Sequence, residues 1–298
     1  MRIGLIDVDS HNFPNLCLMK LSAYHKSRGD IVEWWNGFTR YDLIYMSKVF
    51  DDAYTPEADI PCNADLIIRG GTGYDLKNKL MEVAEHSYPD YSLYPSIKNN
   101  TAYGFLTRGC PRGCRFCIVS EKEGKCSRKV SDLSDFFRGQ NEIKLLDPNL
   151  LACKDHEELL QQLAGSGARV DFTQGLDIRL TNKDNIGLLN RIKIKEIHFA
   201  WDNPNDSLEN FFKAYSSMTS HKPHGRFGTV YCLTNFNTTL KEDLYRIYTL
   251  RDLGYDPYVM IYNKAKAPRE IRLLQRWVNN RVIFKSVDRF EDFDSRKG

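Results

Sequence analysis

Short apolar runs recur through the first part of the chain, and the residues between them decide which element each run predicts. "RIGLIDV" (2–8), "IVEWW" (31–35), "DLIYMSKV" (42–49) and "DLIIRGG" (65–71) have strand length and strand-forming residues. "LCLMKLSAYHKSRG" (16–29) spaces its apolar positions on a helical period and stops at Gly29. This order predicts a small Rossmann-like α/β domain over 1–85, built on a parallel sheet. The following stretch, "HSYPDYSLYPSIKNN", has no period and is rich in Tyr, Pro and Asn, so 86–100 is expected as a linker.

From Ala102 the pattern becomes a repeat. Strand-like runs at "AYGFLTR", "EIKLLD", "RVDFTQ", "EIHFAWD", "GTVYCLTN" and "PYVMIYN" are each followed by a helical segment. Several of those helices open on a capping residue with an acid three positions later: Asp155 with Glu158, Thr181 with Asp184, Asp206 with Glu209, and Thr239 with Glu242. Pro268 is expected in the first turn of the last one. Units of roughly 30 residues match the repeat of a (β/α)8 barrel, but there are six of them and not eight. The expected fold is therefore α/β: an open, partial (β/α)6 barrel over 101–285, preceded by the small domain and followed by a polar tail, 286–298. In such folds chemistry gathers at the C-terminal ends of the strands.

At the end of the first of these strands stands "RGCPRGCRFCIV" (108–119), with Cys110, Cys114 and Cys117 close together. The other five cysteines are scattered, at 17, 62, 126, 153 and 232. The first residues hold acids and no apolar core, unlike a secretory or transit peptide, and no run is long enough for a membrane span. The expected address is a reducing cytoplasm, where clustered thiols bind metal more often than they pair. Structural zinc takes four ligands, and Cys126 is the one cysteine near enough to complete such a set. Three cysteines alone would leave one iron of a 4Fe–4S cluster without a protein ligand, the mark of a catalytic centre. Gly113 permits a tight loop there, while Arg108, Arg112 and Arg115 offset thiolate charge.

"CPRGCRFC" resembles the CxxxCxΦC motif of radical S-adenosylmethionine (SAM) enzymes, with Phe116 as the aromatic residue before the last cysteine. The resemblance covers residues 102 to about 280. It implies that Cys110, Cys114 and Cys117 hold a 4Fe–4S cluster, with SAM chelating the fourth iron. Reductive cleavage of SAM would then give methionine and a 5′-deoxyadenosyl radical that abstracts hydrogen from a substrate. It also implies cofactor contacts at the strand ends: Asp147 in "LLDPN", where the family often has GGE, then Gln174 and Arg179 in "TQGLDIRL", Asp202 in "FAWDNPND", Asn235 and Tyr262. Each of these has an ordinary alternative as a helix cap or turn residue.

The N-terminal unit resembles the cobalamin-binding domain of one radical SAM subgroup, through "DSHNFP" (9–14), Ser47 and "IRGGTG" (68–73). Pro14 stands where that domain has glycine, and the sixteen residues between Val49 and Leu66 are too few for its helix and extra strand. Cobalamin is therefore an unlikely ligand.

Net charge is +3, so composition does not announce a nucleic-acid binder. Basic residues do concentrate at 98–129 (Lys98, Arg108, Arg112, Arg115, Lys122, Lys125, Arg128 and Lys129) and at 264–285, where Arg269, Arg272 and Arg276 share a helix face. With Tyr255, Tyr258, Tyr262 and Trp277 nearby they suit a nucleotide or nucleic-acid substrate. They equally suit a solvated face, or a dock for an electron donor such as flavodoxin or ferredoxin. The chain shows no second cysteine cluster, which speaks against methylthio transfer that needs an auxiliary cluster. Two readings stand: a radical SAM enzyme on an unidentified substrate, or a non-catalytic iron–sulfur or zinc protein for electron transfer or nucleic-acid binding.

Overall fold

The computed structural model describes residues 1–11, 13–95, 97 and 100–296. Asn12, in the cobalamin-like fragment, and Lys98, in the first basic stretch, lie outside the described residues. The chain forms two compact units: Met1–Gly104 with Ser131–Asn141, and Phe105–Val130 with Glu142–Gly298.

In the first unit, strands β1 (Arg2–Asp7), β2 (Ile31–Trp34), β3 (Tyr41–Ser47) and β4 (Ala64–Gly70) form a parallel sheet in the order β2-β1-β3-β4. The helix Leu16–Ser27 starts where the Asn15 side chain accepts from the Leu18 amide, and Gly29 leaves it at φ +81°. Leu18, Met19 and Leu21 pack on Ile3, Leu5, Leu43 and Tyr45. Each such fully buried side chain contributes about 1.5–3 kcal/mol. The segment expected as a linker joins this core: Leu93 is buried, and the Tyr91 hydroxyl donates to the Phe136 carbonyl at 2.8 Å and accepts from the Tyr103 amide at 3.1 Å. Aperiodic sequence hid it, because its rings pack one by one without a repeating stripe.

The later strands are β5 (Thr101–Gly104), β6 (Thr107–Arg108), β7 (Arg128–Lys129), β8 (Glu142–Leu145), β9 (Arg169–Phe172), β10 (Lys193–Ala200), β11 (Thr229–Thr234) and β12 (Asp256–Ile261). A six-stranded sheet runs in the order β12-β11-β10-β9-β8-β5, and its described pairings from β8 to β12 are parallel. The fold is α/β, an open (β/α)6 partial barrel. One face of the sheet is apolar: Val170, Phe199 and Val259 are buried, with Phe199 against Phe212 and Tyr215 of the helix Glu209–Met218, and Val259 in a cluster with Leu274 and Trp277 of the helix Arg269–Asn279.

The caps follow the sequence only in part. Thr239 and Glu242 form the expected capping box. At the helix Lys183–Leu189 the box is Asn182 with Asn185, one residue beyond the Thr181–Asp184 pair, because the Thr181 hydroxyl donates back to the Ile178 carbonyl. Asp155 occupies its N-cap position without accepting from a helix amide. Leu208 takes the N-cap position expected for Asp206, whose carboxylate accepts from Arg179 instead. Pro268 is the N-cap residue, one position ahead of the first turn.

Candidate functional site

The cysteine loop and the strand ends around it lie within the second unit. The loop is pinched at its base, where β6 and β7 pair antiparallel, so residues 109–127 form a closed excursion. Gly109, at φ +88°, lies so close to the Cys126 carbonyl that a Cβ there would fall 2.2 Å from its oxygen. Only glycine fits. Inside the loop the Cys110 amide donates to the Gly124 carbonyl at 3.1 Å, and the Cys117 amide to the Cys114 carbonyl at 3.0 Å. Glu123 binds the Arg108 guanidinium at 3.0 Å and the Gly109 amide at 3.2 Å. Arg112 pairs with Asp177. Two of the three arginines expected to face thiolate charge therefore spend it on carboxylates, while Arg115 is exposed.

Asp147 is nearly fully buried, and its carboxylate is committed to the chain. It accepts from the Leu106 amide at 3.1 Å and from both the amide and the hydroxyl of Thr107, at 2.5 and 2.7 Å. Burial pushes its carboxyl up to about 6, against the pull of those donors. The structure gives Asp147 the work of holding the strand that feeds the cysteine loop. Two residues on, Asn149 places its side-chain amide 3.5 Å from the Cys110 sulfur, and its own carbonyl holds the Ser127 hydroxyl at 2.9 Å. Sequence reading passed over Asn149 as part of a turn; its place in the same "LLDPN" stretch at a strand end was the signal.

Arg179 is held between two carboxylates, Asp177 at 2.8 Å and Asp206 at 2.7 Å. Sequence left Asp177 unmarked and read Asp206 only as a helix cap; the two acids fix where the guanidinium sits. Asp202 accepts from the Leu233 amide at 3.1 Å, and burial raises its carboxyl. Arg179, Asp202 and the other two cysteines all act on the charge of Cys114. Its thiol is pushed up first by burial, then by the charges of Asp202, Cys117 and Cys110, and pulled down by Arg179. Phe116 meets Phe236 edge-on at 5.4 Å, and Phe236 meets Tyr262 at 4.8 Å, so Tyr262 joins the same neighbourhood. The Asn235 amide is taken by the Tyr262 carbonyl at 2.8 Å. Gln174 is exposed in the turn after β9.

Among the described residues, the one set of three metal-ligating side chains whose donor atoms lie within 4.8 Å of one another is Asp171, Glu196 and His198. No three of Cys110, Cys114, Cys117 and Cys126 meet that limit. Zinc bonds of about 2.3 Å to tetrahedral sulfurs would bring them to roughly 3.8 Å apart, so this loop is opened wider than a closed zinc site.

No protein-family model matches the chain. Over 246 residues, 74% of its length, it is 26% identical to the tRNA-2-methylthio-N(6)-dimethylallyladenosine synthase of Flavobacterium psychrophilum. The chain spans about half, 47%, of that relative. The likeness supports the radical SAM superfamily. For a radical SAM chain the donor set fits a cluster: three thiols on one closed loop, an amide donor on one sulfur, and a guanidinium and a carboxylate close to another. In the N-terminal unit, at the place of the cobalamin-like fragments, the Ser47 hydroxyl accepts from Asn15 at 2.8 Å and Asp9 caps the Val49 and Phe50 amides, while His11 is exposed. Among the described residues, no helix is long and apolar enough to cross a membrane.

Proposed function

We propose that the chain is a radical SAM enzyme that acts on a nucleic-acid substrate. The observation that carries this reading is that Arg112, inside the loop that presents three thiols, pairs with Asp177, the same carboxylate that holds the strand-end Arg179 at 2.8 Å. Cys110, Cys114 and Cys117 would hold a 4Fe–4S cluster, which with bound SAM would supply the radical for hydrogen abstraction. The chain's own residues do the rest. Asn149 donates to the Cys110 sulfur and supports its thiolate. Asp177 and Asp206 aim the Arg179 guanidinium, which suits the SAM carboxylate. Asp202, fixed by the Leu233 amide, offers its free oxygen to a hydroxyl or amine. Phe116, Phe236 and Tyr262 form a run of edge-on rings beside the loop.

Two supports favour nucleic acid: the relative is named for a tRNA product, and Arg269, Arg272 and Arg276 are all exposed on one helix face. Cys153 and Cys232 are buried, and burial drives the Cys232 thiol up to about 12, which keeps it protonated.

The test is anaerobic reconstitution with iron and sulfide, reduction by dithionite, addition of SAM, and detection of 5′-deoxyadenosine by mass spectrometry. Product from wild type and none from Cys114→Ala is the expected result. A fully loaded cluster that yields none, with spectra unmoved by SAM, would sink the reading in favour of an electron-transfer or binding protein.

A further inference from the structure

The second face of the barrel sheet, opposite the apolar one that carries the helices, holds an arrangement that packing does not explain. In filled barrels the inward positions are dominated by Val, Ile and Leu. Here Lys144, Asp171 and Glu196 stand directly opposite one another across β8, β9 and β10. Opposed like charges on neighbouring strands destabilise a sheet; the Lys144 ammonium lies 3.4 Å from Asp171. Two residues along β10, His198 brings its ring within reach of the same pair, with Nε2 3.5 Å from Glu196. His198 is buried, and its Nδ1 has no hydrogen-bond partner. Leaving a buried polar atom this way is costly unless a ligand pairs with it. Beside it lie flat surfaces: His198 stacks on Tyr231 at 5.2 Å with 25° between the planes, and Tyr231 meets Tyr258 edge-on. Tyr258 is 43% exposed, so the face opens to solvent at the edge strand.

We propose that Asp171, His198 and Tyr231 form the subsite that recognises the substrate, and that it takes a nucleobase carrying an exocyclic amine. The inference rests on the nucleic-acid reading above and names which part of the substrate the barrel holds. The subsite is rich in acceptors and carries net negative charge, so its ligand must donate. Burial keeps His198 neutral, leaving one ring nitrogen free to accept or donate. Carboxylates accept from the amino groups of bases, and aromatic side chains stack on their faces. A divalent cation would also meet carboxylates and imidazole, but the Lys144 ammonium beside Asp171 repels it.

The experiment compares adenosine 5′-monophosphate with inosine 5′-monophosphate, which carries a carbonyl in place of the amine. Calorimetric titrations use reconstituted protein saturated with S-adenosylhomocysteine, so that the cofactor's own adenine pocket is filled. Wild type is expected to bind the adenine nucleotide about tenfold or more tighter. Asp171→Asn should erase that preference, and His198→Phe should weaken both ligands, with iron content checking that each variant is loaded. Equal affinities in wild type, no binding of either nucleotide, or a preference unmoved by Asp171→Asn overturns the subsite. So does Mn²⁺ binding that Asp171→Asn abolishes, which would make these side chains a cation site. Wild type that forms 5′-deoxyadenosine yet does not discriminate the nucleotides removes this inference alone. Wild type that forms none removes the radical reading beneath it.

Discussion

Asp147 shows how a residue type can be legible while its task is not. A carboxylate at a strand end suggests a ligand contact, but only coordinates reveal three donors already upon it. Its folded-state carboxyl lies near 6, above the ordinary 3.8, so the protonated form is favoured by folding. The stability it contributes is complete below about pH 4 and is lost as pH rises through 6, by about 3 kcal/mol at most. Asp147→Asn cannot ionise and should lack that slope. It should also cost about 1–3 kcal/mol, since one amide hydrogen must face a backbone N–H. Urea denaturation at pH 4 to 7 measures both. Asn149 is the converse case, a residue that reads as a turn and touches sulfur. Asn149→Ala should reduce cluster retention or turnover by about 10–100-fold, measured as iron content and 5′-deoxyadenosine yield, with the thermal transition of the iron-free protein unchanged.

At the scale of elements, the alternation of apolar and polar positions made the strands legible, since every run from "EIKLLD" to "PYVMIYN" became a strand. Tertiary fastening was not legible, because it joins residues far apart in sequence. Arg246, on the helix Leu240–Asp252, is the clearest example. Its side chain is fully buried, and it donates to the carbonyls of Trp201, Asp202 and Leu233 and to the Asp243 carboxylate. One guanidinium thus ties the ends of β10 and β11 together, beside Asp202, whose carboxylate accepts from the Leu233 amide. In the sequence it is one basic residue among many on an amphipathic helix. Arg246→Met leaves Asp243 buried without its cation and should cost about 3–5 kcal/mol. Thr239→Ala, which removes the cap of the same helix, should cost about 1 kcal/mol. Chemical denaturation of both variants separates the two effects.

Across the whole molecule, charge is nearly balanced in number but uneven in place. On the helix Arg269–Asn279, Ile271, Leu274, Trp277 and Val278 are buried while Arg269, Arg272 and Arg276 are exposed, so the basic face that the helical spacing suggested is open to phosphate. Replacing the three arginines with glutamine should weaken RNA binding, and should lower the salt slope by about 0.7 for each phosphate left without its cation; fluorescence anisotropy at several ionic strengths reads both. An unchanged slope would assign the face to solvent or to a protein donor. Partner choice stayed illegible in sequence because a basic helix looks the same in all three roles. The pinched cysteine loop has a consequence for upkeep. Because β6 and β7 close it at its neck, and Glu123 staples its interior, damage to its contents need not spread. On the proposed reading of this loop as a cluster site, oxygen that strips its iron should leave a frayed excursion on an intact scaffold, where trypsin cuts after the exposed Arg112, Arg115 or Lys125 while the two remaining fragments stay together. New iron and sulfide should then restore the proposed site after exposure to air, without the protein being unfolded or made again.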